Sequence, residues 1–284
     1  MKSAIKIAIS LILVAFVLNK IDTSKLLEIF KNVNLFWLFL AFIFYNLSKL
    51  VSAIRLIYYF REIGIELSHR ANFILYYVGM FYNLFLPGGI GGDGYKAYLL
   101  NKRHDIKLSL IIQALLFDRV SGLVALIFLG ALLYPFSSFD IKLFLYLSIA
   151  LIFITYPLFF LISKKLSRFL YYFKTTTIFG LVVQLLQLVA AYFIILSLNS
   201  NVPVVEFLVL FLISSVVSVL PISVGGVGVR ELTFMYGLKL IGFPPDIGIA
   251  FSFLFFLVTA ISSFIGILFI NNPYNTESKQ KEDI

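Results

Sequence analysis

The sequence LPGGIGGDGYK at residues 86–96 interrupts a strongly apolar chain, and LPISVGGVGVR at residues 220–230 repeats its pattern 134 residues later. The two stretches share Leu-Pro, a Gly-Gly pair and a further glycine without any gap, and each ends on a cation, Lys96 or Arg230. A short apolar run precedes each of them. Glycine-rich breaks after short apolar runs, at corresponding positions in two halves of a chain, are typical of the binding site of a membrane transporter. Chance similarity between two glycine-rich loops is the alternative explanation.

The rest of the 284-residue chain has the composition of an integral membrane protein. Charged residues make up 13% of it, which is about half the fraction found in soluble domains. Eight apolar segments lie near residues 4–19, 35–60, 71–86, 108–134, 141–162, 178–198, 204–220 and 247–270. Because about 20 helical residues cross a hydrocarbon core of about 30 Å, several of these segments are long enough to span a bilayer. The sequence therefore predicts an all-α integral membrane protein.

The distribution of Lys and Arg decides how the two breaks are placed in the predicted membrane. If all eight apolar segments crossed it, more of these cations would lie outside than inside. If residues 71–101 and 204–241 form hairpins that enter and leave on one side, most of the cations lie inside, as the positive-inside tendency requires. We therefore predict about six spanning helices and two re-entrant hairpins, in a cell membrane, with both termini cytoplasmic. The halves 35–134 and 178–270 would then have opposite orientations and form an inverted repeat.

The chain is predicted to form one membrane domain over residues 1–270, followed by a polar cytoplasmic tail at 271–284. The apolar residues 7–18 resemble a signal sequence, but no small-x-small cleavage site follows them. We expect them to be a retained first span. Residues 26–33 have an apolar helical face and are expected to form a short helix in the membrane interface.

Several classes of function are disfavoured by the composition. The chain has no cysteine and two histidines, His69 and His104, both in polar connections, so we expect no metal site and no cofactor. The net charge of +9 is attributed to basic cytoplasmic loops, and we expect no binding to nucleic acid. There is no Gly-x-Ser-x-Gly elbow. Residues 93–97 are similar to the opening of an alcohol-phosphotransferase motif, but Tyr98 replaces its arginine. We therefore expect no catalytic residues and no enzymatic activity.

The first break supplies four candidate site residues, Gly91, Gly92, Asp93 and Lys96. Non-helical backbone at membrane depth must line protein or water, because lipid cannot satisfy its N–H and C=O groups. Glycine lets a ligand approach the backbone closely. A helix that begins near Asp93 would direct its N-terminal amides toward the membrane interior, where they favour an anion such as phosphate. Alternatively, Asp93 only caps that helix.

Two further pairs of charges lie at or near membrane depth. Asp118 and Arg119 interrupt an apolar segment, where a charge is costly and must face a cavity or a partner. Because sequence neighbours on a helix point about 100° apart, we do not expect these two to pair only with each other. Arg119 could instead hold carbonyl groups of the first hairpin, and Arg230-Glu231 allow the same two interpretations. Arg55 lies near the inner end of its segment and is expected to snorkel toward water.

Three motifs in order resemble the lysylphosphatidylglycerol synthase transmembrane family. They are PGGIGGD at residues 87–93, Asp118-Arg119 with Gly122, and GGVGVRE at residues 225–231. That family is the flippase-like membrane region of bacterial multiple-peptide-resistance factors, and it also occurs as stand-alone bacterial and archaeal proteins. The resemblance covers nearly the whole chain and implies movement of a lipid between leaflets, here without an aminoacyl transferase domain. Similar proteins usually place an arginine in the last span, where residues 255–257 read FFL in this chain.

Taken together, these features predict a lipid translocase for an anionic or lipid-phosphate substrate, including the polyprenyl-phosphate type. Cations would hold the phosphate, while the acids would orient them or carry a coupling proton. The predicted substrate-binding residues are Lys96, Arg119, Arg230, Asp93, Asp118, Glu231, Gly91, Gly92, Gly225 and Gly226. A second possibility is an accessory subunit that scaffolds a membrane glycosyltransferase or lipid-modifying enzyme, and a third is an intramembrane enzyme. The partner would accordingly be a membrane lipid, a second copy of the chain or a membrane enzyme.

Overall fold

A computed structural model describes residues 28–85, 91–166, 169–219 and 226–270, and all regular elements within these ranges are helices. The helices with two described ends are α1 (Leu35–Glu62), α2 (His69–Phe85), α3 (Gly91–Arg103), α4 (Leu108–Leu133), α5 (Lys142–Leu166), α6 (Phe173–Ser197), α7 (Val204–Val219), α8 (Val229–Leu240) and α9 (Pro245–Phe264). Short 3-10 turns, Tyr134–Phe136 and Ile265–Phe269, continue α4 and α9. The predicted first span, the start of the interfacial helix and the polar tail lie outside the described residues.

Five of these helical segments are long and apolar enough to cross a membrane. They are Leu35–Glu62, Leu108–Phe136, Lys142–Lys165, Phe173–Ser197 and Pro245–Phe269. This confirms the prediction of a multi-pass, all-helical membrane protein for the part of the chain that the structure describes. A sixth span would fall at residues 4–19, outside that part, so the total of six stays a prediction.

The other four helices are shorter and flank the two glycine-rich breaks. The helices α2 and α3 have 17 and 13 residues, and α7 and α8 have 16 and 12. At 1.5 Å per residue even the longest extends only about 25 Å, less than a hydrocarbon core of about 30 Å. The interruption between α2 and α3 falls where the sequence has Pro87 and several glycines, residues that weaken or end a helix.

The order of the helices is the same in the two halves of the chain. Each half has a long helix, two short ones and a second long one, which are α1 to α4 in the first half and α6 to α9 in the second. Packing follows the same scheme, because α2 packs on α3 as α7 packs on α8. Across the halves, α4 packs on α7 as α9 packs on α2. In chain order α5 lies between the two halves, and in the fold it packs mainly on α4.

The first helices of the two halves, α1 and α6, lie side by side and run antiparallel. At one end, the backbone N–H of Asn34 donates to the carbonyl oxygen of Ser197 at 2.8 Å. At the other, the backbone N–H of Tyr172 donates to Oε1 of Glu62 at 2.8 Å. We call these the Asn34 end and the Glu62 end of the helix bundle. Corresponding helices of the two halves therefore point in opposite directions at this contact.

The two short-helix pairs approach from opposite ends of the bundle. Connections of only a few residues join α1 to α2 and α3 to α4, so α2 begins and α3 ends near the Glu62 end. Similarly short connections join α6 to α7 and α8 to α9 near the Asn34 end. The backbone N–H of Ser138, which follows α4, donates to Oε1 of Glu206 in the first turn of α7 at 2.7 Å. That contact places the far end of α4 at the Asn34 end as well.

Candidate functional site

A polar cavity of about 350 Å³ lies between the two halves of the chain. Its walls come from α1, α2, α4, α6, α7, α8 and α9, so neither half forms it alone. Three cations line it, namely Lys49, Arg119 and Arg230. Among its lining residues in the described part of the chain, Glu231 is the one acid.

Arg119 lies on α4 and lines this cavity. It also binds α3, which together with α2 forms the first short-helix pair. Its Nε donates a hydrogen bond to Oδ2 of Asp93, which lies in the first turn of α3. The other carboxylate oxygen of Asp93 accepts from Nζ of Lys96 at 3.1 Å. Lys96 is buried, lies 4.7 Å from the ring centre of Tyr76 and does not line the cavity. The structure thus brings two of the three predicted cations, Arg119 and Arg230, to one cavity and places Lys96 behind Asp93.

The first pair, α2 and α3, meets through glycines. A Cβ on Gly92 would lie 1.9 Å from the backbone oxygen of Gly79, so no side chain fits there. The backbone N–H of Gly92 donates to Oδ1 of Asn83 at 2.8 Å. The predicted site residue Gly92 is therefore explained by close helix packing, and Gly91 is the first residue of α3.

Asp118 is turned away from the cavity. Its Oδ1 accepts from Nε of Arg55 at 2.8 Å, and both side chains are buried. The guanidinium also lies against Gly122 and Gly180, where a Cβ would be in ordinary contact at 3.5 Å from Nη1 of Arg55. The expectation that Arg55 snorkels toward water is therefore wrong, because the ion pair with a buried carboxylate holds it inside. As predicted, Asp118 and Arg119 have different partners.

The second pair, α7 and α8, carries a cation without an acidic partner. Arg230 lies in the first turn of α8, with its guanidinium 4.3 Å from the ring centre of Phe255 and 5.8 Å from that of Phe211. It forms no ion pair with any carboxylate in the described part of the chain. The neighbouring Glu231 caps the same helix, because its Oε2 accepts from the backbone N–H of Gly228 at 2.6 Å. Its carboxylate is therefore occupied by the backbone.

The backbone before α8 also requires glycine. Gly226 has φ +79°, and a Cβ there would lie 2.6 Å from Oγ of Ser218. Gly226 and Val227 line the cavity just before α8 begins, so the positive end of that helix faces it. Gly225, the other predicted glycine of this break, lies outside the described residues.

Lys49 is a cavity cation to which the sequence analysis assigned no role. Its Nζ lies 4.5 Å from the ring centre of Tyr45, one turn earlier in α1. Tyr45 in turn meets Phe255 edge to face, at 5.7 Å between ring centres. The aromatic pair therefore links the two cations, since Lys49 lies over Tyr45 and Arg230 over Phe255. The sequence contains one indication that Lys49 lines a cavity, because this lysine lies inside an apolar segment with no acidic residue near it.

Neutral polar side chains complete the cavity wall. Seven such residues line it, namely Asn83, Gln184, Gln187, Ser215, Ser218, Ser252 and Thr259. Nε2 of Gln184 donates to the carbonyl oxygen of Gly122 at 3.3 Å, while its Oε1 is buried without a partner. Oγ of Ser252 is likewise buried and unpaired. Buried polar atoms are nearly always hydrogen-bonded in native proteins, and these two oxygens are exceptions in the wall of the cavity.

Two apolar grooves adjoin the polar cavity along α4. The first groove, of about 540 Å³, runs between α3 and α4 and shares Arg119, Leu123 and Val219 with the cavity. The second groove, of about 370 Å³, runs between α4, α5 and α7 and shares Leu126 with it. A polar chamber thus has an apolar groove on either side, toward opposite ends of one long helix.

The two cationic positions lie about half way through the bundle. Arg119 is eleven residues into α4, which is about 16 Å from the Glu62 end. Phe255, against which Arg230 packs, is ten residues into α9, about 15 Å from the Asn34 end. In the described part of the chain no three His, Cys, Asp or Glu side chains cluster as a metal site would require.

Comparison with known proteins was made on the whole sequence. The family described as the lysylphosphatidylglycerol synthase TM region matches residues 3–266. The UPF0104 membrane protein MJ1595 of Methanocaldococcus jannaschii is 24% identical over 308 aligned positions, which cover 92% of this chain and 91% of that protein. A second UPF0104 membrane protein of that organism, MJ1078, is 33% identical over 190 positions, covering 57% of this chain and 80% of that protein. No solved structure matches the chain.

Proposed function

The chain belongs to the lysylphosphatidylglycerol synthase transmembrane family, and from that premise we propose that it moves an anionic, phosphate-bearing lipid between membrane leaflets. The lipid headgroup would occupy the central cavity while its apolar chains remain in the flanking grooves. No covalent step is part of this proposal, and the chain acts as a translocase without enzymatic chemistry.

The charge of the cavity is the observation that carries the proposal. Lys49, Arg119 and Arg230 line one chamber, where Arg119 is paired with Asp93. The one lining acid among the described residues, Glu231, accepts from the backbone N–H of Gly228. Like charges at membrane depth repel each other strongly because the surroundings have a low dielectric constant. A phosphate relieves that repulsion and accepts hydrogen bonds from all three side chains. Arginine suits this role because its guanidinium can donate two parallel bonds to one phosphate.

We further propose that α2–α3 and α7–α8 are re-entrant hairpins of an inverted repeat. Each helix is too short to span the bilayer, and the two pairs approach from opposite ends of the bundle. The antiparallel contact between α1 and α6 supports opposite orientations of the halves. In this arrangement the amino ends of α3 and α8 lie near the bilayer centre, as in transporters whose discontinuous helices bind substrate at the midplane.

The two grooves favour a lipid over a free anion as the substrate. Their walls are almost entirely aliphatic or aromatic, and each opens into the polar cavity. Residues of the first groove such as Leu108, Ile112 and Leu116 are also exposed on the outer surface of α4. A free anion gains nothing from such walls, whereas a lipid can keep its chains in contact with apolar surface as its headgroup crosses.

The test is leaflet-to-leaflet movement of fluorescent phosphatidylglycerol in proteoliposomes, followed by quenching of the outer leaflet. Wild-type protein is expected to accelerate movement over protein-free vesicles. Arg230→Ala should reduce the rate at least about tenfold, because a charge-assisted hydrogen bond contributes about 1.5–3 kcal/mol. This variant leaves no described carboxylate unpaired, so its effect is not confounded by a broken ion pair.

Lys239→Ala is the matched control, since it removes a cation from the exposed far end of the same helix. It should transport at the wild-type rate. A folded Arg230→Ala protein that matches wild type would exclude the phosphate site.

A scaffold function is the second candidate, and the exposed surface of α5 favours it. Large apolar side chains such as Leu143, Phe153 and Leu161 are more than half exposed along this helix. If cavity variants leave function in cells intact while Phe153→Ala and Leu161→Ala abolish it, the chain acts through a membrane partner that covers α5.

A further inference from the structure

The charges around the central cavity do not cancel one another. Four cations lie in its wall or one ion pair behind it, namely Lys49, Lys96, Arg119 and Arg230. Two acids accompany them, since Asp93 binds both Lys96 and Arg119, and Glu231 lies in the wall. With every group ionised, four cations face two acids, which leaves an excess of two positive charges.

Neither the nearby ion pair nor the two glycine-rich breaks changes this balance. Arg55 is matched by Asp118, whose Oδ1 lies 2.8 Å from its Nε. Residues 86–90 and 220–228, which join the short helices of each pair, contain no charged side chain. The excess therefore holds for the whole surroundings of the cavity, including the connections between the short helices.

Two of these cations are held by aromatic rings. Nζ of Lys49 lies 4.5 Å from the ring centre of Tyr45, and the guanidinium of Arg230 lies 4.3 Å from that of Phe255. Neither cation forms an ion pair with a carboxylate in the described residues. A ring face attracts a cation through its quadrupole but carries no net charge. The rings therefore position Lys49 and Arg230 without neutralising them.

We infer that the cavity binds a headgroup with two negative charges, a phosphate monoester, in preference to a singly charged phosphodiester. A monoester carries about −1.5 to −2 charges at pH 7, because its second pKa is about 6. A dianion balances the excess of positive charge, whereas a monoanion leaves one charge uncompensated in surroundings of low dielectric constant. This inference rests on the proposed function for its lipid part, while the preference for two charges rests on the cavity alone.

Binding of two matched lipids can be measured without transport. Purified protein in detergent at pH 8 is titrated with phosphatidic acid, a monoester, or with phosphatidylmethanol, the diester that differs from it by one methyl group. The rise in unfolding temperature gives each affinity. Phosphatidic acid should bind at least about tenfold more tightly, because its second charge meets a cation that the diester leaves unbalanced. Equal affinities overturn the inference.

The pH dependence tells whether the charge of the ligand is responsible. Between pH 8 and pH 5 the free monoester takes up a proton, so its advantage over phosphatidylmethanol should shrink by about tenfold. Protonation of Asp93 or Glu231 in this range would make the cavity more positive and increase the advantage. The sign of the change therefore separates the ligand from the protein. An advantage that stays constant or grows as the pH falls overturns the inference.

Two substitutions assign the preference to the cations of the cavity. Lys49→Gln and Arg230→Gln each leave one positive charge in excess, so the ratio of phosphatidic acid to phosphatidylmethanol affinity should fall at least about threefold. The unfolding temperature without lipid shows that each variant is folded. Lys239→Gln is the matched control, since this lysine is exposed at the far end of α8, and it should keep the wild-type ratio. A wild-type ratio in both cavity variants overturns the inference.

Glycerol 3-phosphate, a water-soluble monoester, separates the headgroup from the whole lipid. It should bind more weakly than phosphatidic acid in the same detergent, because it cannot occupy the apolar grooves. Equal affinity would overturn the lipid part of the inference and leave a site for a free phosphate monoester. If phosphatidic acid is preferred but no lipid moves between leaflets, the charge inference stands and the proposed translocation fails. If lipids move but the monoester has no advantage, the inference fails and the proposed function stands.

Discussion

At the amino end of α3, one carboxylate lies between two cations, whereas the cation at the matched end of α8, Arg230, forms no ion pair within the described residues. Asp93 joins Lys96 and Arg119 in the first case. In the second, Val227 occupies the position of Asp93, and Arg230 packs on Phe255 and Phe211 instead. One sequence pattern thus produces an ion-paired network in one half and, in the other, a cation without an ion pair, which we call the open position. The difference teaches that the two halves share the order of their helices, while single side chains decide how each cation is held.

The largest loss of stability is expected from breaking the buried ion pair between Arg55 and Asp118 in the first half. Asp118→Asn leaves Arg55 charged, buried and without its carboxylate, so the free energy of unfolding should fall by about 3–5 kcal/mol. Unfolding in mixed micelles measures it, with Asp105→Asn, an exposed acid after α3, as the control. A loss no greater than that of the control would contradict a structural role for the carboxylates of this half.

A smaller loss of stability is expected at the glycine contact between α2 and α3. Gly92→Ala forces a methyl group against the backbone of Gly79, which should cost about 1–3 kcal/mol. Gly94→Ala meets nothing within 4 Å and should not destabilise the protein, since alanine favours a helix over glycine. The same unfolding measurement compares the two variants. Similar behaviour of both would show that α2 and α3 have freedom to separate.

Giving the second break the acid that the first one has is the sharpest functional test of the comparison between α3 and α8. Val227→Asp places a carboxylate at the positive end of α8, beside Arg230, where it is favourable for the helix. Transport of phosphatidylglycerol should fall about tenfold or more while stability is kept or raised, because the new acid competes with the phosphate. Val227→Asn, which is uncharged and similar in shape, should retain most activity. Unchanged transport in Val227→Asp would mean that the open position is not used.

The smallest effect is expected at Arg119, where the two halves meet. Arg119→Lys keeps the charge and its attraction to Asp93 but loses the planar pair of donors. Transport should decrease about threefold to tenfold in the proteoliposome assay. A variant as inactive as Arg230→Ala would show that the bidentate geometry of Arg119 is indispensable, and that the first half takes an equal part in binding.

Helix positions were predictable because hydrophobic length and glycine-rich breaks act locally. Seven of the eight apolar segments lie in the described residues, apart from the end positions 86 and 220, and each of the seven is mainly helical there. The second half was predicted to start at 178, but α6 begins at Phe173. The first turns of α6 contain a lysine and three threonines. These polar residues are helical because the apolar residues that follow them nucleate the helix.

Pairing between charges was harder to predict because it depends on contacts across long stretches of sequence. Lys96 was expected in the cavity, but it pairs with Asp93, whose other carboxylate oxygen binds Arg119, 26 residues later in the chain. Lys49 was missed because its neighbours in the cavity come from α4, α8 and α9. Which parts of the chain lie on the cytoplasmic side of the membrane and which lie outside stays a prediction. The absence of native cysteine makes them testable by labelling Arg103→Cys and Ser138→Cys with an impermeant reagent.

The helix α5 determines how the two halves are oriented relative to each other. Each half starts and finishes at the same end of the bundle, so two copies joined directly would insert in the same sense. One unpaired crossing between them changes that parity, and α5 supplies it by carrying the chain from the Asn34 end back to the Glu62 end. A helix that packs mainly on α4 is thereby the segment that lets the second half run opposite to the first.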